Sequence, residues 1–450
     1  MRCGIDAESR TSSSTTDPVT DTQSVSSLVA RCLRALGVTR VFAAAGHGVG
    51  QLDGVVSIDV ASEGVAVALA DADGRLSSAP TQRPGVALLP GGRLRLSSLP
   101  GARTEAIAVT IEDLPAAIAG WTVGRALAAI ELELPSDLVT DVPAGVQPLM
   151  VKPSDRLLRL SPSLTDSSTM IIAGPGVVRA GHASDLIGFV DRSGVGVVCT
   201  IGAVGVVPFD HPAWCGVVGL QSDDPASSGL DACELVIVVG VDEDELGESL
   251  PPDAQALEVE PWHLPFLASD WPPPARELIR PPLVDACAAV LADHRDDATS
   301  PLHPVRALFD VLDATDDDVV IAADGGPVGL WFSRGVVPVG GGRVIVPPLD
   351  ANGFAIAAAV VTALDGGRSI AITTPGGVLD DELLDLAAAL DLPITVERWG
   401  DDVVTGDPSR HRADIVAAMV DPGVTVTSVA VDLAAAGELV DLFGPVVAWT

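Results

Sequence analysis

Hydrophobic and polar positions along this chain switch repeatedly between a helical period and an extended one. SSLVARCLRALG (26–37) places Leu28, Val29, Cys32, Leu33 and Leu36 at helical spacing, with serines at its start and Gly37 at its end, so a helix is expected. VTRVFAAA (38–45) reads as a strand running into the glycine loop GHGVG (46–50). VVSIDVA (55–61) is expected to be extended and ASEGVAVALADADG (61–74) helical, with further strands at GVALLP (85–90) and AAIELELP (128–135). Alternating β and α of this kind is the pattern of a parallel sheet covered by helices.

The same alternation recurs twice more. Beyond a proline-bearing connector (142–162), TMIIAGPGVV (169–178) reads as strand and glycine turn, GHASDLIGFVDRSG (181–194) as helix and VGVVCT (195–200) as strand. CELVIVVGV (233–241) is apolar throughout, the signature of a strand buried on both faces. A stretch rich in Pro and Trp (251–282) then leads to HPVRALFDVLDA (303–314) as helix, DDVVIAADGG (317–326) as strand and FAIAAAVVTALDGG (354–367) as helix. SIAITT (369–374), the helix DDELLDLAAALD (380–391) and PITVERW (393–399) follow, with TVTSVAV (425–431) and PVVAWT (445–450) near the end. The expected fold is α/β, three consecutive units with parallel sheets flanked by helices, over residues 25–145, 163–285 and 300–450. Residues 1–24 are polar, lack an apolar core segment, and are expected to be a disordered tail rather than a secretory signal.

Composition narrows the partners. The 450 residues carry 61 acidic against 26 basic side chains, a net charge of −35, and Lys152 is the sole lysine. Such a surface repels phosphate backbones and anionic lipid, so nucleic acid and membrane surfaces are excluded as partners, and it matches the solubilising acidic surfaces of a high-salt (halophilic) cytoplasm. No apolar run approaches the roughly 18 residues of a membrane helix. Cys3, Cys32, Cys199, Cys215, Cys233 and Cys287 are scattered without a CxxC pair, which points to buried thiols in a reducing, cytoplasmic compartment.

SLVARCLRALGVTRVFAAAGHGVGQLDGV (27–55), IIAGPGVVRAG (171–181), GAVGVVPFDHPAWCGVVG (202–219), DACELVIVVGVDEDEL (231–246), VVIAADGGPVGLWFSRG (319–335) and DANGFAIAAAVVTALDGGRSIAITTPGG (350–377) together resemble one family. It is that of the thiamine diphosphate enzymes of acetolactate synthase and 2-oxoacid decarboxylase type. In their order, these segments look like its pyrimidine-binding, central and diphosphate-binding domains, and the similarity covers about residues 25–400. The resemblance implies decarboxylation of a 2-oxo acid followed by carboligation or aldehyde release, with thiamine diphosphate and Mg²⁺ as cofactors. It also implies a homodimer or homotetramer whose site lies between the first domain of one subunit and the third of another.

Residue by residue, the resemblance places Glu63 where a family glutamate activates the cofactor's aminopyrimidine. On its own, an acid at a helix start is also what the helix dipole favours, by ~0.3–1 kcal/mol. Gly46, Gly48, Asp324, Gly325, Asn352, Gly353, Phe354, Gly376 and Gly377 fall at cofactor-contacting positions, and Asp401 and Asp402 lie near the second metal-ligand position. The departures are equally specific. TPGG stands where the family has Gly-Asp-Gly, so Pro375, without carboxylate or N–H, takes the place of a metal ligand. Asp380 and Asp381 already occupy the helix end that would receive the diphosphate. Only RLRLSSLPGARTEAIAV (93–109) fills the place of a longer family segment that lines the active site. Two readings stay open: a 2-oxo acid enzyme with a weakened metal–diphosphate site, or an inactive relative serving as a binding, regulatory or scaffolding partner. Some family members bind FAD in the central domain, and GPGVVR (174–179) lacks the third glycine of a dinucleotide fingerprint.

Overall fold

Ser24 opens the first helix by accepting the Ser27 N–H on its hydroxyl, and the chain then builds three helix-flanked sheets in succession. The computed structural model describes residues 24–449 apart from 78–82, 124–128, 137, 139–140, 144, 150–167, 243–244, 246–249, 273–277, 279, 336–343 and 401–406. The first unit comprises α1 (Val25–Ala35), β1 (Arg40–Ala44), β2 (Val56–Val60), α2 (Glu63–Leu76), β3 (Gly85–Leu89), β4 (Arg93–Ser97), β5 (Ala106–Ala108), α3 (Leu114–Val123) and β6 (Ala129–Glu133). Its strand order is β2-β1-β3-β4-β6-β5. The expectation of a purely parallel sheet needs correction here, because β4 runs antiparallel to both β3 and β6. The cause is the turn Pro90-Gly91-Gly92, whose glycines hold φ of 79° and 78° and reverse the chain within three residues. Helix α2 lies against this sheet at backbone contact: a Cβ on Gly74 would sit 1.9 Å from the Ser97 carbonyl oxygen.

The central unit comprises β7 (Thr169–Ala173), α4 (Gly176–Arg179), α5 (Ala183–Ser193), β8 (Gly196–Thr200), β9 (Trp214–Val218), α6 (Asp224–Ser227), β10 (Leu235–Val239), β11 (Gln255–Val259), α7 (Leu264–Asp270) and α8 (Pro282–His294). Its order is β11-β10-β7-β8-β9, every pair parallel. Strands β8, β9 and β10 are buried along their full length, as their unbroken apolar sequences require.

The third unit comprises α9 (Pro304–Ala314), β12 (Val319–Ala323), α10 (Gly326–Gly335), β13 (Val344–Ile345), α11 (Phe354–Leu364), β14 (Arg368–Thr373), α12 (Val378–Ala389), β15 (Ile394–Gly400), α13 (His411–Met419), β16 (Val424–Ala430) and α14 (Ala436–Phe443). Its order, β13-β12-β14-β15-β16, is again all parallel.

Packing joins the units. Helix α11 is buried on all sides from Phe354 to Ala363, and its alanines pack against Val65, Ala66 and Leu69 of α2, so the first and third units share a core. A second core runs from the central unit into the third through Trp331 and Phe332. Across that junction the buried Arg334 donates to the Val217 carbonyl at 2.9 Å and pairs with Asp224, which also accepts the Leu220 and Gln221 N–H groups at 2.9 Å. Four of the described cysteines are buried and Cys233 is half-buried, all as free thiols. No helix among the described residues is long and apolar enough to cross a membrane.

Candidate functional site

The predicted cofactor residues of the third unit cluster at the C-terminal ends of β12 and β14. Asp324 ends β12 and is directed at the start of α11, where one oxygen accepts the Ala355 N–H at 2.8 Å and the other accepts the Thr373 hydroxyl. Burial pushes its carboxyl up to about 6, against the opposing effect of those two hydrogen bonds and with a further push from the charge of Asp380. Asp324 is therefore a cap that ties β12 and β14 to α11. Gly325 faces the ring of Trp449: a Cβ built there would meet the indole at 2.7 Å. Trp449 donates its own Nε1–H to the Pro347 carbonyl at 2.8 Å, which fixes the ring over this glycine.

The turn after β14 is closed in the same manner. Asp380, in the first turn of α12, is 5% exposed and sits so near Gly376 that an added Cβ would fall 1.5 Å from its carboxylate. Burial raises its pKa, Arg398 lowers it and Asp381 raises it further. Pro375 supplies no carboxylate and no N–H at this point, and Arg398, the cation beside the helix end, lies 3.7 Å from Asp381. A diphosphate needs N–H donors, cations or a bridging metal. The described residues here set the carboxylates of Asp324 and Asp380 and a covered glycine against one cation, Arg398, so they do not fit the group. Asp401 and Asp402 lie outside the described residues.

Glu63 is the first residue of α2, behind the N-cap Ser62, whose hydroxyl oxygen accepts the Val65 N–H. Its carboxylate is paired with Arg93 at 2.8 Å, and Arg93 bonds Glu131 at 2.7 Å with its other arm. Ser62 also donates to Glu382 of α12 at 2.6 Å, so the start of α2 meets the first turns of α12 within one chain. Beside this contact, Gly64, Val67, Asp71, Arg95, Asn352 and Phe354 line a cavity of about 220 Å³ whose floor is the Asp71–Arg95 ion pair. Gly353 packs on Leu379 and Leu383. The loop of Gly46 and Gly48 borders the β3–β4 turn, where the His47 carbonyl accepts the Gly92 N–H at 3.2 Å.

The fold thus brings Glu63 beside the α12 end and places Asn352 in the turn before α11 and Phe354 at that helix's first position. Arg93 and Trp449 were not anticipated from sequence. An arginine directly after a two-glycine turn was the available signal for the first, and nothing local announces the second.

In the central unit, the glycine turn after β7 serves packing. A Cβ on Gly174 would meet the Val241 backbone at 2.3 Å, and Gly176 donates to the Gly240 carbonyl at 2.7 Å. The ends of β7, β8 and β10 are bridged by side chains: Arg179 pairs with Asp242, and Glu245 accepts the Thr200 hydroxyl at 2.9 Å and the Gly202 N–H at 3.0 Å. Burial and the neighbouring Asp242 push Glu245 up to about 8. Among the described residues this crevice offers a flavin phosphate no glycine cradle.

A further cluster joins His294, His303 and Glu438, with the two imidazoles stacked 3.7 Å apart. His303 accepts the Val305 N–H on Nδ1 at 3.2 Å, and its buried Nε2 stands 3.6 Å from Glu438 without a hydrogen-bond partner among the described residues, while His294 Nε2 lies 3.2 Å from the other Glu438 oxygen.

Residues 165–261 match the family described as thiamine pyrophosphate enzyme, central domain. Over 256 residues the chain is 27% identical to YdaP of Bacillus subtilis, named as a candidate thiamine pyrophosphate-containing protein, covering 50% of this chain and 44% of that one. The central unit thus matches the thiamine pyrophosphate enzymes, and the chain is similar to a relative named for that cofactor over half its length. A second relative, named as a candidate acetolactate synthase large subunit of Methanocaldococcus jannaschii, is 28% identical over 93 residues, 21% of this chain and 15% of its own. The chain therefore spans less than half the length of the curated relatives it matches. Two solved structures share the fold over 91% of this chain with TM-scores of 0.64. They are a thiamin diphosphate-dependent enzyme candidate from Mycobacterium smegmatis, 17% identical and covered over 100%, and benzoylformate decarboxylase from Polynucleobacter necessarius, 12% identical and covered over 99%. Within the thiamine pyrophosphate enzyme fold, then, this chain keeps three sheets and fills the ends of the third with its own side chains.

Proposed function

We propose that this chain keeps the thiamine diphosphate enzyme fold without a working metal–diphosphate site, and serves as a non-catalytic binding or regulatory partner. The observation that carries this reading is Asp380, whose buried carboxylate lies against Gly376 where the phosphate end of the cofactor would need donors. An anion arriving there meets like charge in a poorly solvated place, which costs several times the ~0.3–1 kcal/mol that a helix dipole offers. Pro375 and the Trp449 ring over Gly325 act in the same direction.

The test is calorimetry of the full chain in high salt with thiamine diphosphate and Mg²⁺. No saturable heat is expected up to millimolar cofactor, and no consumption of pyruvate or other 2-oxo acids. Stoichiometric binding, or turnover that collapses in Glu63→Gln, would overturn the proposal.

A second reading, an active decarboxylase or carboligase assembled as a homodimer or homotetramer, draws on Glu63. It stands at the first position of α2, beside the cavity that Asn352 lines. In that reading Arg93 has to release Glu63 before the carboxyl can serve a cofactor ring, and such release would appear as a dependence of turnover on residue 93.

A further inference from the structure

We propose that His294, His303 and Glu438 bind one divalent transition-metal ion of the zinc class, which pins α14 to the junction of α8 and α9. The three side chains come from three elements: His294 ends α8, His303 is the N-cap of α9, and Glu438 stands in the first turn of α14. One ligand atom from each lies within 4.8 Å of the other two.

The observation that asks for an ion is a buried nitrogen. His303 is 7% exposed, its ring held between the stacked imidazole of His294 and the edge of Trp331. Its Nε2 faces Glu438 at 3.6 Å and has no hydrogen-bond partner among the described residues. Buried polar atoms of this kind are rare in folded proteins and call for a partner.

His294 is set up to share that partner. Its Nε2 lies 3.2 Å from the other Glu438 oxygen, and its Nδ1 faces Asp297 at 3.7 Å. The Thr299 N–H, donating at 2.9 Å, fixes Asp297 in turn. A carboxylate behind the far ring nitrogen keeps the proton on Nδ1 and turns the Nε2 lone pair toward a metal. Nε2 and the Glu438 carboxylate are then two acceptors in contact, and a cation between them removes the conflict.

Spacing and charge select the ion. Tetrahedral zinc, with bonds of about 2.0–2.2 Å, sets its ligand atoms about 3.5 Å apart. The two imidazole–carboxylate separations, 3.2 and 3.6 Å, match this. Two imidazoles and one carboxylate suit zinc and leave a fourth position for water. Glu438 and Asp297 supply two negative charges, and among the described residues no arginine pairs with either. Taking up the ion moves the His303 proton from Nε2 to Nδ1 and gives up the Val305 N–H bond at 3.2 Å. It also opens the ring stack so that both lone pairs meet the metal.

The site is separate from the third unit's filled cofactor end, so the inference stands whether or not the non-catalytic reading holds. Titration of the untagged full chain with Zn²⁺ against a chromophoric chelator, and with Co²⁺ followed by its visible absorption, tests it. One ion per chain is expected, with the strong visible bands of four-coordinate cobalt and no thiolate-to-cobalt band in the near ultraviolet. Zn²⁺ should also raise the unfolding midpoint, as a ligand of the folded state does. Glu438→Gln and His294→Ala, both at partly exposed positions, should each weaken binding at least tenfold and abolish that rise, with unchanged far-ultraviolet circular dichroism. Absence of stoichiometric uptake, a thiolate band, or unaltered Zn²⁺ binding by Glu438→Gln would each overturn the proposal.

Discussion

The indole of Trp449 covers Gly325, which follows the C-terminal end of β12, with only 2.7 Å between the ring and the place of a Cβ. Gly325→Ala must therefore displace the ring. A loss of about 1–3 kcal/mol is expected, the usual range for an added methyl in a packed place. In a Trp449→Ala background the same substitution should cost much less. Denaturant melts of the four-member cycle measure the coupling, and additive losses would show that the contact is not what opposes the methyl.

Glu63 and Arg93 form a half-exposed pair, with Glu63's side chain 44% accessible. Glu63→Gln is expected to change stability by no more than about 1 kcal/mol, as exposed pairs do. Thermal melts at low and high salt would check this. A large loss confined to cofactor-containing buffer would instead reveal a bound ring.

Gly85 permits the closest approach in the first unit, a Cβ there falling 1.7 Å from the Ala70 carbonyl oxygen. That atom belongs to the backbone of α2 and cannot swing aside. Gly85→Ala should cost upwards of about 3 kcal/mol, beyond ordinary overpacking. Retention of the wild-type unfolding midpoint would contradict the packing of α2 on β3.

His411 lies buried between Asp310 and Glu397, each 3.1 Å away. Burial disfavours its imidazolium, but hydrogen bonds to the two carboxylates and their charges outweigh that and push the pKa up to about 9 from 6.5. A raised folded-state pKa gives stability that is fully present below about 6.5 and is lost as pH rises to about 9. The unfolding midpoint should fall across that window, and His411→Asn should flatten this alkaline slope while lowering stability at pH 6. An unchanged slope would mean that another group governs it.

Much of the architecture was legible locally. The apolar run of β10 and the start of α2 lie where pattern placed them, while α1 opens at Val25, one residue before the expected start, on a cap from Ser24, a residue of the expected tail. The β3–β4 hairpin departs from the expected parallel sheet, although Pro90-Gly91-Gly92 between LL and RLRL is itself a turn signal. The loss of a metal-ligating side chain at Pro375 was plain from residue type alone.

Periodicity and turn chemistry determined which faces are buried, where helices begin, and that three α/β units follow one another, since these depend on neighbours within a few positions. Only the tertiary structure decided that Arg93 holds Glu63, that α2 packs on α11 in one chain, that Asp380 turns inward onto Gly376, and that Trp449 closes over Gly325. Those contacts join residues far apart in the sequence, and their geometry follows from how whole helices and sheets fill space, which no local pattern encodes.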